Sequence, residues 1–152
     1  VLNMGPEGFG LISGLRNIGG LAAMLFIVAV GDRLPKGLVY QVSILLFGGL
    51  LVALAVASHP ALVVAILMGV SAMMAVGDLL SQSLIQLVVP NDLRGRAMGS
   101  WMLAIGTGPV GNLQIGAVAS AAGIGLALSL DGLGLVVLSI GLLAAVPDMR
   151  RV

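Results

Sequence analysis

The sequence contains no cysteine and a single histidine, and this narrows the chemistry open to it. Without cysteine there is no disulfide framework, no thiolate metal site and no thiol nucleophile. His59 alone cannot supply the histidine pair on which many metal sites are built. No two carboxylates share a helix face for acid–base catalysis, and no Walker-type phosphate loop is present. These absences argue against an enzyme, and neither a metal nor a cofactor is expected.

Charge is also scarce. Only 9% of the residues are charged and 59% are apolar, whereas charged residues make up about 25% of a soluble domain. A soluble fold of 152 residues needs a charged outer layer, and seven basic and six acidic side chains cannot supply one. The composition therefore predicts an integral membrane protein with the lipid bilayer as its solvent. The net charge of +1 gives no basic field for a nucleic-acid partner.

Long apolar runs fill most of the chain. A spanning helix needs about 20 mostly apolar residues, and five stretches meet this length. Barrel strands would alternate polar and apolar residues, and these runs are apolar on all faces. The sequence thus predicts an all-α membrane fold of five transmembrane helices. The predicted spans cover about residues 10–30, 38–57, 61–88, 100–122 and 126–146.

The basic residues predict the topology. Five crossings place successive loops on alternate sides, and six of the seven basic residues then fall on one side. By the positive-inside rule this side is the cytoplasm, and the C-terminus lies there too. An odd number of crossings, together with the absence of a basic leader at Val1, predicts a fragment whose first helix is missing. The six residues are Arg33, Lys36, Arg94, Arg96, Arg150 and Arg151.

Asp78 is the most informative single residue, because it interrupts the third span. A charge there costs on the order of 3 kcal/mol, so such a group normally faces a bundle interior or a water-filled cavity. At 100° per residue Gln82 and Gln86 lie on the same side of the helix, with Ser71 close to Asp78. One interpretation is the wall of a transport pathway with Asp78 as a proton or cation site. The other is a structural hydrogen-bond seam between helices.

The fourth span carries a predicted bend at Gly108, Pro109 and Gly111, because proline removes a backbone hydrogen bond. Asn112 lies near it, at a depth similar to that of Asp78, and joins the candidate pathway residues. Irregular helix near the midplane is typical of transporter substrate sites, although a packing kink has the same pattern.

Arg16 is the one basic residue predicted within a span. It is a candidate pathway residue that attracts anions in an outer vestibule. Two alternatives remain open: a structural ion pair with Asp131, which is matched in depth, or snorkelling toward the headgroups.

Small residues recur at helical spacing, as in the pairs Gly10–Gly14 and Gly116–Ser120. In lipid such pairs let helix backbones approach closely, so they predict helix packing sites.

Two polar loops contain recognisable motifs. Residues 31–37 read Gly-Asp-Arg-Leu-Pro-Lys-Gly, which resembles the Gly-x-x-Asp-Arg-x-Gly-Arg loop of the major facilitator superfamily. Residues 90–99 read Pro-Asn-Asp-Leu-Arg-Gly-Arg-Ala-Met-Gly, similar to the Pro-x-x-x-Arg-Gly-Arg loop between the tenth and eleventh helices of its bacterial exporters. Residues 5–11 resemble the entry to the eighth helix in the siderophore- and drug-exporter branch.

The resemblance implies helices eight to twelve of a twelve-helix transporter, whose halves rock around a central site. The missing N-terminal half and a small-molecule substrate would be its partners, and the bacterial inner membrane its location. The expected activity is proton-coupled efflux of small amphipathic molecules; a non-transporting scaffold or an uptake carrier of the same fold are the alternatives. The loop residues expected to act in gating and topology are Asp32, Arg33, Lys36, Arg94 and Arg96.

Overall fold

The computed structural model describes residues 6–30 and 34–145, and every regular element within these ranges is an α-helix. The prediction of an all-α fold is confirmed. The helices are α1 (Pro6–Val30), α2 (Lys36–Val56), α3 (Pro60–Val88), α4 (Arg94–Gly106), α5 (Gly108–Ala122) and α6 (Ile124–Ala145).

Four of these helices are each long and apolar enough to cross a membrane, so the chain is a multi-pass membrane protein. Each agrees with a predicted span to within two residues at either end. The spanning parts are Ile12–Val30, Lys36–Val56, Pro60–Val88 and Ile124–Ala144.

The fourth predicted span consists of two consecutive helices, α4 and α5, of 13 and 15 residues. Between them Thr107 keeps right-handed dihedrals, with φ −81° and ψ −5°. Its N–H donates to the Leu103 carbonyl at 3.1 Å, and its carbonyl accepts from Gly111 at 3.3 Å. The interruption follows from Pro109, which has no N–H to donate to the Ile105 carbonyl. The expected five long helices are therefore corrected to four long helices and one interrupted pair.

The helices form a row that does not follow chain order. α1 packs on α3, α3 on α2, α2 on α6, and α6 on α5, while α4 makes small contacts with α3 and α5. The two central helices, α2 and α3, thus each have a long neighbour on both sides.

The α2–α6 interface is an antiparallel seam of small and polar residues. A Cβ on Gly132 would lie 2.6 Å from the Gly48 carbonyl oxygen, and a Cβ on Gly48 would lie 2.7 Å from the Gly132 oxygen. Toward one end Gln41 is bonded to Ser139, and toward the other Gly125 approaches the Ala55 carbonyl. These positions recur every seven residues on both helices, the spacing that keeps one face of a helix against its partner. The backbones of α2 and α6 are therefore in direct contact.

The α1–α3 pair is parallel and also depends on a close backbone approach. Gly19 lies against the Met68 backbone, and a Cβ at this position would lie only 2.9 Å from the Met68 Cα. Further along the pair, Ile27 packs with Val76 and Leu80 in a small apolar core. Since Ile27 and Val76 follow Gly19 and Met68 by the same eight residues, the two helices run in the same direction.

Helix directions determine which connections lie at the same end of the bundle. α3 is antiparallel to α2, because Gly69 lies against Leu50 while Gly77 lies nearest Ser43. With α6 also antiparallel to α2, the helices α1, α3 and α6 all run in one direction. Residues 34–36 and 89–96 consequently share one end, called here the basic end because it contains Lys36, Arg94 and Arg96. Residues 57–59 and 123 share the other end.

Candidate functional site

Asp78 lies on the wall of a groove bounded by α2, α3 and α6. The groove has a volume of about 220 Å³. Residues of α2 and α3 make up most of its lining, and α6 contributes one leucine. The lining residues are Tyr40, Ile44, Phe47, Met73, Met74, Gly77, Asp78, Ser81 and Leu135.

Asp78 is an exposed residue and contributes to the lining of this groove. Gly77 lets α3 approach α2, where the nearest group to a Cβ would be the Ser43 hydroxyl at 3.8 Å. Ser81, one turn further along α3, adds a hydroxyl to the same wall. Because the rest of the lining is apolar and aromatic, the groove combines one negative charge with a surface that suits a hydrophobic group.

The other polar residues of α3 do not share the groove. Ser71 faces α1, since its hydroxyl would lie 3.1 Å from a Cβ on Gly20. Gln82 is half-buried and Gln86 is exposed near the end of the helix. Ser81 therefore lines the groove with Asp78, whereas Ser71 contacts α1.

Asn112 and Arg16 lie away from the Asp78 groove. Asn112 is exposed on α5, which is separated from α3 in the row by α2 and α6. Arg16 is exposed on α1 at the other edge of the row. α1 packs on α3 while α6 packs on α2 and α5, so Arg16 and Asp131 belong to helices that share no principal interface.

Asp131 lines a separate cavity of about 270 Å³ between α5 and α6. Gln114 is its polar neighbour there, and Gly111, next to the helix interruption, lies at one end. The remaining lining is aliphatic. Asp131 is half-buried, so the two membrane carboxylates of the described helices occupy different cavities.

The basic end brings together part of the predicted loop set. Lys36 is the first residue of α2 and is half-buried, while Arg96 is exposed in the first turn of α4. The Nη2 atom of Arg94 donates to the backbone carbonyl of Gln86 at 2.9 Å and joins the end of α3 to the start of α4. Asp32 and Arg33 lie outside the described residues.

Sequence reasoning missed a buried polar contact between α2 and α6. The Nε2 atom of Gln41 donates to both the carbonyl and the hydroxyl of Ser139, and each residue is 3% exposed. Neither residue stands out in its apolar run. The signal was the seven-residue repeat of small and polar residues on α2 and α6, which shows only when both helices are compared.

Replacing Gln41 with leucine is expected to destabilise the protein by about 1 kcal/mol, because side-chain hydrogen bonds between membrane helices contribute about 0.6–2 kcal/mol. The change keeps the side-chain size and leaves the Ser139 hydroxyl without its partner. The free energy of unfolding of the purified protein in mixed micelles measures this loss of stability. Gln82→Leu is the matched control, since Gln82 is half-buried on α3. Equal losses in the two variants would show that the Gln41–Ser139 bond contributes nothing specific.

Within residues 6–30 and 34–145, no three His, Asp or Glu side chains come together as a metal site. Comparison of the sequence with protein-family models and with curated proteins gives no match, and no solved structure matches the fold. Function is therefore inferred from the groove and from the sequence motifs.

Proposed function

We propose that the chain is part of a secondary transporter of the major facilitator type, which exports small amphipathic molecules in exchange for protons. The observation that carries the proposal is the exposure of the Asp78 carboxylate to an open groove within a membrane-length helix. A carboxylate placed only for packing would be satisfied by a neighbouring helix, since an unpaired charge in lipid is unfavourable. Asp78 instead borders a space that a solute can enter.

The groove has the chemistry that such a solute needs. Phe47, Met73 and Met74 offer an apolar, adaptable surface, and methionine fits ligands of varied shape. Asp78 adds a site that carries either a proton or a cation. Competition between the proton and the solute at one carboxylate is the simplest means by which a proton gradient can drive export.

The proposal includes a second half-bundle and an orientation. The bilayer and an N-terminal half of the same transporter are the partners, and the two halves expose the site alternately to each side. The basic end lies on the cytoplasmic side of a bacterial inner membrane, as expected from Arg94 and Arg96 near residues 89–93. Neither a catalytic residue nor a cofactor is required.

Asp78→Asn is expected to reduce proton-driven transport at least tenfold without lowering the amount of folded protein, because the amide cannot exchange a proton. Transport of ethidium and of a neutral fluorescent dye into everted vesicles containing the intact protein measures the effect, with an imposed pH gradient. Asp78→Glu keeps a carboxyl group and is expected to retain transport. Asp131→Asn removes the other membrane carboxylate and serves as the matched control.

The outcomes separate the candidates. Undiminished coupling in Asp78→Asn would assign Asp78 a structural role. Proton-driven movement of dye out of the everted vesicles, which is the opposite of export, would favour an uptake carrier. A wild-type protein that moves neither probe nor protons would favour the non-transporting scaffold, for which the close α2–α6 backbone contact is the supporting observation.

A further inference from the structure

The end of α3 lacks one backbone donor. In an α-helix the carbonyl of Gln86 would accept from the N–H of residue 90, but residue 90 is proline and has none. Proline also pushes the preceding residue out of the helical region, and Val89 is extended, with φ −85° and ψ 129°. Val89 still donates to the Ile85 carbonyl at 3.1 Å, so Gln86 is the first carbonyl of α3 whose helical donor is missing.

Arg94 supplies that donor from the next helix. Its Nη2 atom lies 2.9 Å from the Gln86 carbonyl oxygen. The turn between them is closed by a hydrogen bond from the Leu93 N–H to the Pro90 carbonyl at 3.1 Å, which returns the chain over the last turn of α3. The positive guanidinium also lies at the negative end of the α3 dipole, where a cation is stabilised.

Arg94 is half-buried, and its hydrogen bond to Gln86 lies at the surface. The Nε atom of Arg94 is buried and has no hydrogen-bond partner among the described residues, so the side chain gives up hydration on one edge to hold this position. Arg96, two residues further on, is exposed. The two arginines carry the same charge at the same end of the bundle, yet they have different surroundings.

We infer that Pro90 and Arg94 form one structural unit: Pro90 ends α3 by removing an N–H, and Arg94 replaces that N–H and fixes the start of α4 against α3. This role does not rest on the proposed transport function. Arg94 and Arg96 then have different roles, whereas a role in loop charge alone would make the two residues equivalent. The unit also accounts for the four-residue spacing, since a tight turn of residues 90–93 is what brings residue 94 back to Gln86.

Four variants of the intact protein in nanodiscs test the unit: Arg94→Gln, Arg96→Gln, Pro90→Ala, and Pro90→Ala combined with Arg94→Gln. Amide hydrogen exchange over residues 85–93 is the first readout. Spin-label distances between cysteines introduced at the exposed positions Leu87 and Met102 are the second. Arg94→Gln is expected to raise exchange at least tenfold and to broaden the distance distribution, whereas Arg96→Gln leaves both near wild type.

The double variant is the decisive arm. Alanine at residue 90 restores an N–H and frees residue 89 to become helical, so the Gln86 carbonyl no longer needs Arg94. We expect its exchange to return to the level of Pro90→Ala alone. This rescue cannot come from charge, because Arg94→Gln and the double variant have the same charge.

Two results would overturn the inference: equal effects of the Arg94 and Arg96 substitutions, or effects of Pro90→Ala and Arg94→Gln that simply add. If Arg94→Gln alone does not yield folded protein, recovery of folded protein in the double variant supports the unit, and continued failure of the double variant contradicts it.

Discussion

Replacing Gly132 with alanine is expected to separate α2 from α6 and to destabilise the protein by about 3 kcal/mol, the upper part of the usual range for overpacking. The added methyl group would lie 2.6 Å from the Gly48 carbonyl oxygen, 2.9 Å from Val52 Cγ2 and 3.1 Å from Leu51 Cβ. The first of these atoms belongs to the backbone, so rotation of a side chain cannot relieve the contact. The helices have to move apart, and the Gln41–Ser139 hydrogen bond in the same seam is then lost as well.

Thermal unfolding in micelles measures the loss of stability, and spin labels at the exposed positions Val42 and Ile140 report the helix separation. Gly134→Ala is the matched control: it lies on the same helix two residues away, and a Cβ there meets nothing within 4 Å. It is expected to be neutral or slightly stabilising, because alanine favours the helix over glycine by about 1 kcal/mol. A Gly132→Ala protein as stable as Gly134→Ala would contradict the close α2–α6 approach.

Gly19→Ala is expected to have an effect of similar size on the α1–α3 pair. A methyl group on Gly19 would overlap the Met68 carbonyl oxygen and lie 2.9 Å from the Met68 carbonyl carbon. Because α1 packs principally on α3, displacement at this point loosens the whole helix and opens the core around Ile27 and Leu80.

Limited proteolysis in the α1–α2 connection and thermal unfolding both measure this loosening. The matched control is Gly14→Ala, five residues earlier on α1, where a Cβ has open space. Increased cleavage confined to Gly19→Ala is the expected result. Equal behaviour of the two variants would show that α1 does not depend on the Gly19 contact.

The spans were predictable from the sequence because each depends on local composition alone. An apolar run of membrane length needs no knowledge of its partners, and Pro90 and Pro109 act on the backbone of their own helix. The end of α3 and the interruption after α4 are therefore visible in the residues around them.

Helix pairing was less predictable, because small residues are common in this chain and only some lie at interfaces. The pairs Gly10–Gly14 and Gly116–Ser120 were expected to mark close packing. Within the described helices a Cβ on Gly10, Gly14 or Gly116 meets nothing within 4 Å, so these pairs do not mark a close approach between the described helices. The close approaches lie instead at Gly19, Gly48 and Gly132.

The candidate site, too, could not be assembled from helical periodicity alone. Ser71 and Asp78 are seven residues apart and nearly eclipsed on an ideal helix, yet one faces α1 and the other faces the groove. Helical angles place residues on a face, whereas the position of each neighbouring helix decides what that face meets. Tyr40 and Phe47 could be assigned to the groove only once α2 was known to lie between α3 and α6.

The Gln41–Ser139 hydrogen bond can form only after both residues have been synthesised. The two residues are 98 positions apart in the chain, so at about 5–20 residues per second the ribosome needs about 5–20 s to make the second after the first. Until then the Gln41 amide has no partner from α6, and a polar group in lipid without a partner is unfavourable. During synthesis α2 therefore lacks this contact with α6 for that interval.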